Sequence, residues 1–236
     1  MFPSQAFVYI VKILATGHRE RGKMNSLSKT ANRDLMAQAR ESLRGKWGLA
    51  IVTFVIVQLI MTGVQMIPSV GSIGGLVIGG PMSVGMAIFA LAISRNQNPR
   101  LPQVFEGFQK FGVALGAYLL MLLFVLLWSL LLIIPGIIAA YAYSQIFYII
   151  AEDANIGPLD AIRKSKEMMC GNKWKLFCLN LRFIGWALLC ILTFGIGFLW
   201  LAPYMFTSFA KFYDDLAHPA VMPEAEPVTV EPAAQA

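Results

Sequence analysis

The chain has 236 residues, 57% of them hydrophobic and 14% charged, with a mean hydropathy of +0.64. A soluble domain carries nearer a quarter charged residues, so the composition excludes an ordinary water-soluble globule and predicts an all-α, multi-pass membrane protein. The net charge of +6 comes from basic residues scattered at helix ends rather than gathered in an arm, which argues against nucleic acid as a partner.

Residues 1–32 read as an N-terminal extension. Its run FVYIVKILA is too short to span a bilayer, is interrupted by Lys12, and is followed by no small-residue cleavage site. It reads either as an interfacial helix or as the product of a start upstream of a true one at Met24. Over residues 33–46, Leu35, Met36, Ala39 and Leu43 share one helical face, with Arg33, Arg40 and Arg44 off it. Trp47 then opens an uncharged run to Ser94. The middle of that run, IPSVGSIGG, is rich in helix breakers, so a hairpin is expected, out over 47–67 and back over about 74–94. After the polar link RNQNPR, Pro102 suits the first position of a short helix, with Val104, Phe105, Phe108 and Phe111 as its apolar stripe.

Residues 112–151 carry no charge. As one helix they would run about 60 Å, roughly twice the hydrocarbon thickness of a bilayer. Pro135-Gly136 is the expected reversal, because proline cannot continue the ladder and glycine accepts any φ. The arms are then 113–134 and 136–151. Pro158 opens another amphipathic helix, with Leu159, Ile162 and Met169 set against Arg163, Lys164 and Lys166. Trp174 begins a third hairpin with its tip at 193–197 and a return from 198 to about 212. The tail, residues 217–236, is rich in Pro, Ala, Glu and Val and reads as disordered.

The membrane domain, residues 33–216, thus predicts six transmembrane helices arranged as three hairpin repeats, about 33–97, 98–155 and 156–216, each led by an amphipathic interfacial helix. The junctions Gly45-Lys46-Trp47, Lys110-Phe111-Gly112 and Gly171-Asn172-Lys173-Trp174 support the repeat. So do Pro81, Pro135 and Pro203, each expected near the outer end of a returning helix. Apart from Arg182 and Lys211, the basic residues lie before Trp47 or in and beside the two links between hairpins, and the tips are uncharged. The positive-inside rule then puts both termini on the cytoplasmic side of the inner (plasma) membrane. The expected partners are the lipid bilayer, with anionic headgroups at the cytoplasmic face under the amphipathic helices, and other membrane proteins or a second copy.

The last third carries Ala161-Ile162, Ser165, Met168-Met169, Gly171, Lys173-Trp174, Phe177 and Phe183-Ile184-Gly185-Trp186. It continues with Thr193, Gly195, Gly197, Trp200, Pro203-Tyr204 and Phe212-Tyr213-Asp214. With Ile134-Pro135-Gly136-Ile137, these residues resemble the bacterial integral-membrane family known as domain of unknown function nine-seven-five, over about residues 33–216. The resemblance implies a bacterial, multi-pass membrane protein and brings no activity, substrate or catalytic residue. It also implies a small polar residue such as serine where this chain has Arg182.

Candidate functional positions are the polar groups within apolar helices. Gln58, Thr62 and Gln65 share one face of the first spanning helix, and Tyr141, Ser144, Gln145 and Tyr148 repeat the pattern on the fourth. Asn180 and Arg182 lie in the fifth; Arg182 is placed either to snorkel to the interface or to pair with Glu152, Asp153, Asp214 or Asp215. Gly71, Gly75, Gly79, Ser83 and Ala87 form a small-residue stripe suited to close helix packing, as do Gly136, Ala140 and Ser144. Cys170, Cys178 and Cys190 form no CxxC, and His18 and His218 sit at opposite ends of the chain. No catalytic set, metal site or cofactor is therefore expected. The sequence favours a non-enzymatic scaffold or accessory membrane protein. The alternative is a small-solute or lipid transporter that uses the polar intramembrane groups, and convergence of those groups on one cavity separates the two readings.

Overall fold

A computed structural model describes residues 28, 30–67, 71–153, 155–193 and 195–218. The readings made for the N-terminal extension to residue 27, for residues 68–70 of the first tip and for the tail beyond 218 lie outside the described residues. The helices are α1 (Asn32–Leu43), α2 (Trp47–Gln65), α3 (Gly71–Ser94), α4 (Phe111–Leu131) and α5 (Ile133–Tyr143). They continue with α6 (Ile146–Glu152), α7 (Pro158–Met168), α8 (Lys173–Leu192) and α9 (Phe198–Ala217), and a 3-10 segment, Leu101–Lys110, precedes α4. There is no strand among the described residues. Among the described residues, five stretches are long and apolar enough to cross a membrane: Trp47–Gln65, Ile73–Ser94, Leu101–Leu130, Ile133–Glu152 and Lys173–Leu192.

The bundle is built around α3. Its apolar window is 72% buried, against 17% for that of α2 and 22% for that of α8, so protein rather than lipid surrounds it. Several of the closest backbone approaches fall at glycines outside the predicted stripe. A Cβ at Gly85 would overlap the Val104 carbonyl, one at Gly107 would sit 2.6 Å from the Gly85 nitrogen, and one at Gly80 would sit 2.6 Å from the Ala114 oxygen. Within the stripe, a Cβ at Gly79 would stand 3.3 Å from the Tyr118 ring and one at Gly71 would crowd the Gln65 backbone, while one at Gly75 would make ordinary contact with Gln65 at 3.8 Å. Pro81 lies in the middle of α3 rather than near its outer end, where its carbonyl meets the Gly107 backbone. Pro203 sits in the second turn of α9.

The segment after Pro102 is a 3-10 helix, and this changes which residues face inward. At three residues per turn, Leu101, Val104, Gly107 and Lys110 share a face. Val104 and Gly107 are buried there, while Phe105 and Phe111 of the expected apolar stripe are 42% and 39% exposed. Lys110 ends the segment by donating to the Ile150 and Ala151 carbonyls at 2.7 and 3.2 Å, which caps the end of α6.

The central reversal falls at Leu132, whose extended backbone (φ −160°, ψ 139°) separates α4 from α5. Pro135-Gly136 is not the turn itself; both residues lie in the first turn of α5. A proline ring excludes the carbonyl four residues earlier, and here that residue is Leu131, where α4 ends. The missing N–H costs nothing in a first turn. Gly136 serves close approach rather than backbone freedom: a Cβ there would lie 2.8 Å from the Ser129 Cα. Left-handed glycines appear instead at Gly45 (φ 76°) and Gly171 (φ 80°), just before α2 and α8.

The amphipathic helices turn their apolar faces to the protein. On α1, Leu35, Met36, Ala39 and Leu43 are buried against α9 and α3. On α7 the buried face is Ala161, Ile162, Ser165 and Met168, and Leu159, expected to be inside, is 63% exposed. Pro158 at the start of α7 rests 3.1 Å from where a Cβ of Gly116 would be.

Candidate functional site: two cavities divided by Tyr148

The returning arm of the central hairpin is broken at Ser144-Gln145, between α5 and α6. The hydroxyl of Ser165, fully buried on α7, enters the break, donating to the Ala142 carbonyl at 2.8 Å and accepting from the Gln145 backbone N–H at 3.2 Å. One side chain thus replaces an intrahelical bond with two of its own. The Gln145 side chain is 1% exposed; its Nε2 donates to Ser144 Oγ at 3.0 Å, and Ser144 Oγ donates to the Tyr141 carbonyl at 2.9 Å. The Gln145 Oε1 has no hydrogen-bond partner. An unpaired buried acceptor costs roughly 1–3 kcal/mol.

Beside this amide lies a cavity of about 210 Å³, lined by Ala140, Tyr141, Ser144, Gln145, Tyr148, Leu176, Asn180 and Phe209. Asn180 donates to the Leu176 carbonyl at 3.1 Å, and the Tyr141 ring meets Phe177 edge-on at 6.1 Å. The Tyr148 hydroxyl reaches across to the Phe206 carbonyl at 3.4 Å. On the far side of Tyr148 and Phe206 a second cavity, about 360 Å³, is lined by Gln58, Ser83, Met86, Tyr118 and Phe147 among others. The Tyr148 ring stacks on Tyr213 at 5.5 Å, and the Tyr213 hydroxyl donates to Glu152 at 2.6 Å. The partition between the cavities is therefore anchored to the charged end of the bundle.

The structure brings Tyr141, Ser144, Gln145, Tyr148 and Asn180 to one cavity and Gln58 to the other. Thr62 and Gln65 are exposed and line neither. Arg182 is exposed and forms no ion pair among the described residues; of the four carboxylates offered for it, Asp153 accepts from the Asn155 backbone N–H at 3.0 Å, and the other three are engaged by other cations. Glu152 and Asp214 bind Arg95, and Asp215 binds Lys175 and Thr30. Sequence reasoning missed Ser165, which sits between two lysines and reads as surface. Its spacing from Ala161 and Met168, four back and three on, was the available signal. It also missed Tyr118, and Thr53, whose buried hydroxyl has no partner.

The lining offers amide and hydroxyl groups, no carboxylate, no histidine and no cysteine, and no cluster of metal-ligating residues exists among the described residues. The arrangement can bind a neutral polar group; it lacks a general base. Fold and site together define a helical bundle of membrane-spanning character with an uncharged, partly open cavity whose apolar walls carry a few amide and hydroxyl groups. The chain belongs to the family described as protein of unknown function DUF975, whose model matches residues 24–138 and 130–219. No curated protein and no solved structure matches it.

Proposed function

We propose that this is a non-enzymatic multi-pass protein of the bacterial inner membrane that holds a small uncharged polar or amphipathic ligand beside Gln145, in the manner of a solute- or lipid-handling protein. The observation that carries the reading is the convergence of Tyr141, Ser144, Gln145, Tyr148 and Asn180 on one cavity of about 210 Å³, beside a Gln145 whose buried Oε1 has no hydrogen-bond partner.

Six crossings with both termini cytoplasmic accompany this reading. Lys175 at the start of α8 and Asp215 at the end of α9 lie 3.5 Å apart, so a chain that leaves along α8 returns along α9 to the plane it started from. The three charged residues of α9, Lys211, Asp214 and Asp215, gather at that end. The matching left-handed glycines before α2 and α8 support descent of the first and third hairpins from one repeat; the middle junction carries the 3-10 segment instead.

Native mass spectrometry of the detergent-extracted protein tests the ligand. The wild type should retain a neutral adduct that Ala140→Trp, which fills the cavity, excludes. Absence of any adduct from the wild type under gentle activation, or equal retention by both proteins, refutes the reading. For topology, single cysteines at Ile67 and Ile196 on a cysteine-free background should label from outside and one at Leu159 should not; the reverse pattern overturns the orientation.

A further inference from the structure

A third concavity lies on the flank of the bundle, away from Gln145. It measures about 330 Å³, and its lining is almost wholly apolar: Trp47, Trp186, Trp200, Leu189 and Leu201, with Tyr204 at its floor. One charged residue takes part, Arg40 in the last turn of α1. The Arg40 guanidinium lies 5.7 Å from the centre of the Tyr204 ring, and that ring is fixed because its hydroxyl donates to the Met36 carbonyl at 3.2 Å. Cys190 and Gly197 close the groove at the tip of the last hairpin, where a Cβ on Gly197 would stand 2.6 Å from the Cys190 sulfur.

Arg40 is exposed, and among the described residues no carboxylate pairs with it and no acceptor receives its N–H groups. The nearby Arg44, by contrast, pairs with Glu41 at 3.5 Å. A cation with an open planar fork, standing over an aromatic floor beside an apolar trough, is complementary to an amphiphile with an anionic head. We infer that this groove is a binding site for an anionic phospholipid, its phosphate on Arg40 and one acyl chain among Trp47, Trp186 and Trp200. The site is selective where the bulk of the apolar flank is not, because among the described residues no other unpaired guanidinium lines one of these cavities.

The groove tryptophans supply the readout. In a Trp128→Phe/Trp174→Phe background, fluorescence quenching is compared between phosphatidylglycerol and phosphatidylcholine carrying brominated acyl chains. The anionic lipid should be preferred about fivefold, the factor for one interfacial cation. Arg40→Gln should bring the two lipids to parity and Arg40→Lys should leave a reduced preference, whereas Arg33→Gln, on the same helix but off the groove, should change nothing. Equal quenching by both lipids in the parent protein overturns the assignment, as does an unchanged preference in Arg40→Gln. An equal loss in Arg33→Gln would reduce the effect to bulk surface charge and also overturns it. A fall in oligomeric mass in Trp200→Ala, with the preference intact, would assign the groove to a second copy of the chain instead.

Discussion

Arg95, just beyond α3, and Asp214, near the end of α9, meet at 2.8 Å although 119 residues separate them. The same guanidinium reaches Glu152 at the end of α6 at 2.7 Å, so one cation ties the last residues of three helices. Partial burial works against its charge, but the hydrogen bonds to Asp214 and Glu152 outweigh that and hold its pKa above the ordinary arginine value. Ser94 donates to the other Asp214 oxygen at 2.6 Å, and His218 stands 3.6 Å from Glu152. Arg95→Met leaves two partly buried carboxylates without their cation. It should lower stability by roughly 1–3 kcal/mol, measured as unfolding in mixed detergent. A double-mutant cycle between Arg95→Met and Tyr213→Phe should show coupling of about 0.5 kcal/mol or more through Glu152.

Gly85 and Gly107 are the points at which the 3-10 segment touches α3 backbone to backbone. Either one changed to alanine must push the two apart, at about 1–3 kcal/mol. Gly112 has nothing within 4 Å of where a Cβ would be, so Gly112→Ala should be neutral or stabilising by up to roughly 1 kcal/mol. Thermal unfolding of the three variants checks the contrast.

At the central tip the two residues of the Pro-Gly pair have separable roles. Gly136→Leu collides with Ser129 and should lower steady-state abundance. Pro135→Ala keeps the tip, because the extended Leu132 and the contact of Gly136 with Ser129 remain. Cysteine labelling of downstream positions should show unaltered topology for Pro135→Ala. Inverted downstream segments in that variant would give the proline the decisive part in the reversal.

Gln145→Leu removes an unpaired acceptor from the protein interior. The variant should be as stable as the wild type or more so, by up to about 2 kcal/mol, while losing the adduct retained by the cavity. Ser165→Ala has the opposite sign: it strands the Ala142 carbonyl and the Gln145 N–H and should cost roughly 1–3 kcal/mol. Melting in detergent together with adduct retention separates the two.

Arg182 is exposed and unpaired among the described residues, so Arg182→Lys and Arg182→Ser should each shift stability by less than about 0.5 kcal/mol. A large loss in both variants would show a partner for Arg182 in the membrane-embedded protein.

The sequence by itself determined where the chain runs apolar and where it is charged. Those are properties of single residues, and the bilayer-length segments, the basic links and the inward face of α1 (Leu35, Met36, Ala39, Leu43) follow from them. It also showed that residues 112–151 must turn back. It did not locate that turn at Leu132, because the effect of a proline is felt four residues earlier, at Leu131. It picked out Gly71, Gly79 and Gly136 as positions of close packing but not Gly80, Gly85 or Gly107. The predicted stripe obeys a spacing rule, whereas Gly80, Gly85 and Gly107 answer to the backbone of segments far along the chain. The 3-10 winding of Leu101–Lys110 left Phe105 of the expected stripe exposed while Phe108 stays packed on the core, since a three-residue period groups different side chains from a 3.6-residue one. The site was legible in part: Tyr141, Ser144, Gln145 and Tyr148 lie on one helical arm, and local periodicity relates them. Which cavity they share with Asn180, that Ser165 opens the helix there, and that Arg95 rather than Arg182 takes Glu152 and Asp214 were decided only by tertiary packing. A side chain's partner across the bundle depends on how the helices cross, and no spacing within one helix encodes that.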